Sequence, residues 1–262
     1  MSLPDDILQV GRANQAELAA LNTRVLAALR RQLASAISSV QDDLVSSSSV
    51  FERGQLRWVE LVLSAMQGRT SLALERVVSV LARGGAGLGQ VHALEELAAW
   101  AALGGRAAPL NLSAAAGLAD KLLAERLTSS IAIWKREGIE RMRPHLVRAV
   151  LTRKSDSVAA DAIEQAFGAR RFAAERIVRT ELSHAYHTAH LEQLRRVRDQ
   201  DGLAVQKTCI AVFDTRTAAD SVPVHYQVRD LDEEFVDGEG RRYLAPPGRP
   251  NDREKMVAYL PL

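Results

Sequence analysis

One cysteine, Cys209, stands among 262 residues. A lone thiol excludes an intramolecular disulfide and every multi-cysteine zinc site, and it fits a reducing compartment. Aromatic residues are also scarce, at 5% against 47% hydrophobic residues in all. A core must then be built from Leu, Ala, Val and Ile, which suits long helices packed closely on small side chains. Charge of one sign is missing too: the net charge is +2, so no global field draws the chain to nucleic acid or to a membrane. No apolar run approaches the roughly 20 residues of a membrane span. The N-terminus, MSLPDDILQVGR, has acids where a secretory leader needs bases followed by an apolar run. These absences lead us to expect a soluble, non-secreted chain with one large domain or two modest ones.

What is present is helical periodicity. Leu18, Leu21, Val25, Leu29, Leu33, Ile37, Val40 and Leu44 advance by three and four, which predicts one continuous apolar stripe. Ser46 to Ser49 should interrupt it, because serine competes for backbone hydrogen bonds. A second stripe runs through Leu56, Val59, Leu63, Met66, Leu74, Val77 and Leu81. GGAGLG, Gly84 to Gly89, then reads as a break between helices, and a short Ala-rich helix is expected over Val91 to Leu103. After GGRAAP a long helix is expected from about Ser113 to Arg141, with Pro144 kinking or restarting it. Helix resumes after Asp156 and should stop at Gly168. Another long helix is expected from Arg170 to about Asp199. Beyond Gly202 the β-branched run Val205 to Phe213 predicts a strand, with strand-like pieces at Val222–Val228, Arg241–Leu244 and Met256–Leu260. The fold class expected is mainly α, with a long-helix N-terminal region (1–168) followed by a small α+β C-terminal module (169–262).

Several motifs invite a chemical reading. RTELSHAYHTAH carries His184, His187 and His190 at a spacing of three. On a helix these drift by about 60° per step, so three imidazoles converging on one metal would be strained. HExxH is absent, and we expect a polar face turned to solvent or a neighbouring subunit, opposite the apolar Leu182, Ala185, Tyr186 and Ala189. GGAGLG lacks the preceding strand and the Lys-Ser/Thr pair of a phosphate loop. Cys209 lies inside an apolar strand, where a thiol is inert. No nucleophile elbow exists. The carboxylates of LDEEF sit in an expected turn with no apolar pocket around them to raise a pKa.

Basic residues are concentrated locally. Lys135, Arg136, Arg141, Arg143, Arg148, Arg153 and Lys154 face only Glu137 and Glu140, and Arg170, Arg171, Arg176, Arg179, Arg195, Arg196 and Arg198 follow in the next helix. Asp214 to Glu254, by contrast, holds ten acids and six arginines. The middle could touch DNA phosphates or an acidic partner. Without aromatic interleaving or a DNA-reading motif, solvated helix faces are favoured, with Arg176 and Arg179 pairing to Glu175 or to the acidic tail.

Three segments of the last third then line up in order: AAERIVRTELSHAYHTAH, DTRTAADSVPVH from Asp214, and APPGRPNDRE from Ala245 to Glu254. Their succession resembles the Mu F-like minor head proteins of tailed bacteriophages, the phage head morphogenesis family. The resemblance maps that family's structural motif onto Arg179, Thr180, Glu181, Asp214, Arg216, Thr217, His225, Pro246, Pro247 and Pro250. Where relatives carry His, Cys and Cys in the last segment, this chain has Arg249, Asp252 and Glu254, so no metal or disulfide staple is implied. In its place we expect an ionic clamp, Arg216 or Arg253 pairing with Glu181 or Asp214, because a guanidinium grips a carboxylate with two bonds. Asp214 is expected to cap the turn after the strand, and Pro246 and Pro247 to set an extended approach.

The resemblance implies a role without chemistry: a head component in several copies, associated with the portal protein and other head proteins inside the virion, made in the host cytoplasm, with no catalytic residues, metal or cofactor. Packaged DNA is a further possible partner through the basic helices, and a membrane is not. Two other readings compete: a non-specific DNA-binding protein, and a metal-dependent hydrolase using His184 to His190.

Overall fold

The computed structural model describes residues 3–46, 55–104, 156–215, 217–250 and 252–261, with isolated positions 132, 136, 137, 140 and 144. The chain is mainly helical and ends in a small antiparallel sheet module. Helix α1 spans Asp5–Ser46, α2 Gln55–Gly104 and α3 Asp156–Asp201. Strands follow at β1 Gln206–Ile210, β2 Val228–Asp230, β3 Phe235–Val236, β4 Arg242–Tyr243 and β5 Lys255–Tyr259, with a 3-10 turn at Ala219–Ser221. The long helix expected over Ser113 to Arg141 falls outside the described residues, except that positions 132, 136, 137 and 140 are helical, as is Pro144.

Two expected breaks are helix instead. GGAGLG lies within α2, which joins the second stripe to the Ala-rich segment without interruption. Gly168 lies within α3. Glycine weakens a helix interior by about 1 kcal/mol relative to Ala, an amount tertiary packing readily outweighs. Here the packing is visible: a Cβ built on Gly89 would stand 2.1 Å from the Tyr186 carbonyl oxygen, and one on Gly85 would stand 2.7 Å from Leu182 Cδ1. The two glycines, four residues apart, share a face, and their missing side chains let α2 and α3 approach backbone to backbone.

The chain divides into two compact units. One comprises Met1–Thr23, Leu81–Leu123 and Arg179–Leu262; the other comprises Arg24–Val80 and Ala124–Val178. In the second unit Leu29, Leu33, Leu74 and Val78 are buried, and the Arg30 guanidinium donates to Glu175 at 2.8 Å. Glu175 therefore pairs across helices with Arg30, which sequence proximity alone did not indicate.

The first unit holds the sheet, in the order β2-β1-β5, and the separate β3-β4 ribbon. Lys207 of β1 stands opposite Ala258 of β5, and Cys209 opposite Met256. Both strands are buried along their middles, because the sheet is covered on each face. Leu94, Leu97, Leu191, Leu194 and Val197 from the helices share one core with Val224, Phe235, Met256 and Val257. Val222–Tyr226, expected as strand, is turn, and pairing starts only at Val228. Tyr226 takes a left-handed backbone (φ 62°) and donates its N–H to the Cys209 carbonyl, so the chain reverses there instead of extending.

An unpaired strand edge is an aggregation hazard, and β5 has one. Helix α2 covers it with two side chains one turn apart. Glu96 Oε2 accepts the Ala258 N–H at 2.8 Å, and Trp100 Nε1 donates to the Ala258 carbonyl at 3.0 Å. Together they reproduce the hydrogen bonds a neighbouring strand would supply.

Candidate functional site

Glu96 is the hub of a buried polar network. Its side chain is 1% exposed, yet it also takes the His190 Nε2–H at 2.9 Å and the Asn14 side-chain amide at 3.3 Å. Three donors from α1, α3 and β5 converge on one carboxylate, the arrangement that makes a buried charge tolerable. Beside it His92 Nδ1 lies 3.0 Å from the Tyr186 hydroxyl, and the Tyr186 ring meets His187 edge-on at 4.8 Å. Burial, then the field of Glu96, pushes the Tyr186 hydroxyl pKa up and keeps it protonated.

The histidine row is thus not a solvent-facing stripe. His187 and His190 are buried, and only His184 is half-buried, held by Thr188 Oγ1 at 3.0 Å. The expected apolar face (Leu182, Ala185, Tyr186, Ala189) is buried as well, so α3 is enclosed nearly all round at this level. A helix so enclosed gives no amphipathic signal to read. Burial, reinforced by His190, Lys255 and His184, drives the His187 pKa well down, against a hydrogen bond to the Glu254 backbone. Among the described residues no group of three or more His, Cys, Asp or Glu side chains is placed to hold a metal ion.

Next to this network opens a cavity of about 560 Å³. Helix α1 contributes Gln15, Leu18, Ala19 and Asn22, and α3 contributes Arg179, Leu182, Ser183 and His187. The closing segment contributes Asp252, Arg253, Glu254 and Lys255, with Val212 from beyond β1. All of these belong to one compact unit.

The closing segment is held by ionic and polar bonds. Arg253 grips Asp214 with both terminal nitrogens, at 2.6 and 2.7 Å, one of the pairings expected from the sequence. At the turn after the strand Thr217 Oγ1 accepts the Asp214 N–H at 2.8 Å, and the Thr217 N–H donates to the Asp214 carbonyl at 3.0 Å. Asp252 accepts the backbone N–H of Gly248 at 2.9 Å and of Glu254 at 3.2 Å. Glu254 accepts the Tyr243 hydroxyl and the Cys209 thiol; burial raises its pKa, and that of the thiol as well. Arg249 forms an ion pair with Asp220 at 2.9 Å and donates to the Ser221 hydroxyl at 3.1 Å. Arg249, Asp252 and Glu254 therefore build a charged, hydrogen-bonded closure. Pro246 and Pro247 are buried and joined by a cis peptide, and the chain bends at 244–246 where an extended approach was expected.

Of the other motif residues, His225 Nδ1 accepts the Ala211 N–H at 3.2 Å just past β1, Thr180 is half-buried, Glu181 is buried and Pro250 is exposed. Arg216 lies outside the described residues, as do Lys135, Arg141, Arg143, Arg148, Arg153 and Lys154; Arg136 is exposed.

Three important groups escaped sequence reasoning: Asn14, His92 and Glu96. A signal existed in VHALEELAAW, where His92, Glu96 and Trp100 recur every four residues inside an apolar helix. Lys207 was missed as well. It is fully buried in β1, donates to the carbonyls of Leu231 (3.0 Å) and Leu244 (2.7 Å), and lies 5.1 Å from the Phe235 ring centre. Burial, then Arg195, lowers its pKa to about 8.

No family model, curated protein or solved structure matches the chain.

Proposed function

We propose that the chain is a minor head protein of the Mu F-like kind, a structural component of a phage head or phage-derived particle that associates with the portal. The observation that carries this reading is a convergence. The three segments behind the resemblance are separate in sequence, yet Arg179, Asp252, Arg253 and Glu254 line one cavity, and Arg253 there grips Asp214. Residues that share a motif and also share a place act as a unit, here a module closed by ion pairs over a buried network.

The role is docking and assembly. The polar groups at the site are engaged in holding segments together: Glu96 ties α1, α2, α3 and β5, and Asp252 and Glu254 tie the closing loop. Cys209, the single thiol, is buried with its pKa raised, which suppresses the nucleophilic thiolate.

Mass spectrometry of purified particles tests the proposal. The chain is expected in low copy number, in a fixed ratio to the portal protein and crosslinked to it. Particles that lack the chain, or carry it at shell-protein abundance, would refute the assignment.

A further inference from the structure

Most charged groups that wall the cavity beside His187 are engaged. Asp252 takes the Gly248 and Glu254 backbone N–H groups, and Glu254 takes Tyr243 and Cys209. Arg253 is held by Asp214, and Arg179 has interactions of its own. Lys255 differs. This half-buried residue opens β5, donates one hydrogen bond to the Gly11 carbonyl at 3.1 Å, and forms no ion pair among the described residues. Two of its three donors are therefore unspent.

An ammonium drawn out of water without a counter-charge gives way to the neutral amine. Burial lowers the Lys255 pKa to about 8, against the charge of Glu96. About a tenth of the amine is then neutral at pH 7, against less than about 0.1% for a lysine at its ordinary value. His187 stands on the same wall and is 1% exposed. After burial and His190, it is the charge of Lys255 that lowers the His187 pKa. The His187 Nδ1 has no hydrogen-bond partner among the described residues. A buried ring nitrogen without a partner is costly, of the order of 1–3 kcal/mol, unless something occupies the space before it.

We propose that Lys255 is the nucleophile of a carbonyl-binding site in this cavity, which holds a small aldehyde or ketone with an apolar body as an imine. The amine lone pair bonds the carbonyl carbon, and the C=O π pair moves to the oxygen. One N–H proton passes to that oxygen and gives a carbinolamine. The hydroxyl then leaves with the second N–H proton as water, and C=N forms; no oxidant or reductant is consumed. His187 Nδ1 accepts the carbinolamine hydroxyl, which only a neutral ring nitrogen can do. Leu18, Ala19, Leu182 and Val212 cover the apolar body. The volume of about 560 Å³ falls within the roughly 300–1,000 Å³ of small-molecule sites. The site stands apart from the assembly role, because its walls belong to one unit and need no partner protein.

Reductive trapping of the full chain with isobutyraldehyde and sodium cyanoborohydride tests this. Peptide mass spectrometry follows the five lysines, Lys121, Lys135, Lys154, Lys207 and Lys255. At pH 7 Lys255 should gain the isobutyl group at least about tenfold faster than any other, and its lead should shrink by pH 10, where ordinary lysines also lose their proton. Ala19→Phe, at an exposed wall position, should slow labelling of Lys255 by about tenfold and leave the melting curve in place. His187→Leu should slow it as well. Equal rates for the five lysines at pH 7, a lead that stays constant to pH 10, or unaltered labelling in folded Ala19→Phe would overturn the site. If Ala19→Phe does not fold, the comparison of lysines in the wild type decides. An unchanged rate in His187→Leu would overturn the part given to His187.

Discussion

Gly89 and Gly87 lie two residues apart in one helix, and alanine at each should move stability in opposite directions. At Gly87 nothing lies within 4 Å of the added Cβ. The substitution then brings only helix propensity, about 0.8–1 kcal/mol of stabilisation. At Gly89 the same methyl would stand 2.1 Å from the Tyr186 carbonyl oxygen, 3.0 Å from its carbonyl carbon and 3.1 Å from the His190 nitrogen. All three are backbone atoms of α3 and cannot rotate away, so the helices must separate by about 1 Å, where overpacking alone costs 1–3 kcal/mol. That separation also stretches the His190–Glu96 bond (2.9 Å) and the His92–Tyr186 bond (3.0 Å), which span the same two helices. Loss of buried polar partners adds about 1–3 kcal/mol, so even after the propensity gain a net destabilisation of about 3 kcal/mol is expected. For a chain of this size, about 2–4 °C in Tm accompanies each kcal/mol. Thermal melts followed by circular dichroism should show Gly87→Ala above wild type and Gly89→Ala well below it. If the two variants melt together, Gly84–Gly89 is not a helix packed against α3, and the close approach is refuted.

Other perturbations probe the same architecture. Glu96→Ala strips three buried donors of their acceptor and should cost about 3–5 kcal/mol in urea unfolding, as for a broken buried ion pair; a loss within 1 kcal/mol would deny Glu96 its place as hub. Arg253 and Asp214 are both about one-third exposed, so a double-mutant cycle with alanine should return a coupling of only about 0.5–1 kcal/mol, and a zero coupling would dissolve the clamp. The depressed pKa of His187 means the unfolded chain binds the proton first, so this contribution is complete above about pH 6.5 and is lost at up to about 1.4 kcal/mol per pH unit below it. Glu254, its pKa raised by burial, acts in the opposite sense, so the measurement is the difference between wild type and His187→Gln, whose slope should be flatter between about pH 6.5 and 5. Lys207 loses its proton at about 8 when folded and near 10.5 when unfolded, so its contribution to stability rises with pH across that window. Lys207→Met should diminish the rise in chemical denaturation series, and an unchanged slope would place the amine in water.

The sequence alone determined the mainly helical class, the strands at β1, β4 and β5, and the buried thiol. These follow from local pattern: a stripe every three or four residues, a β-branched run, a cluster of turn formers. Its order of motifs also pointed to the Arg253–Asp214 clamp. The tertiary structure alone decided the rest, because each feature depends on what stands opposite. GGAGLG looked like a break since glycine is a poor helix former in isolation; only the α3 backbone facing Gly85 and Gly89 makes the absent side chains an advantage. The histidines looked solvent-facing because periodicity reports one buried face, whereas α3 is enclosed on several sides. Glu96 read as an ordinary helix carboxylate until the bare edge of β5, 162 residues further along, supplied the N–H that it accepts.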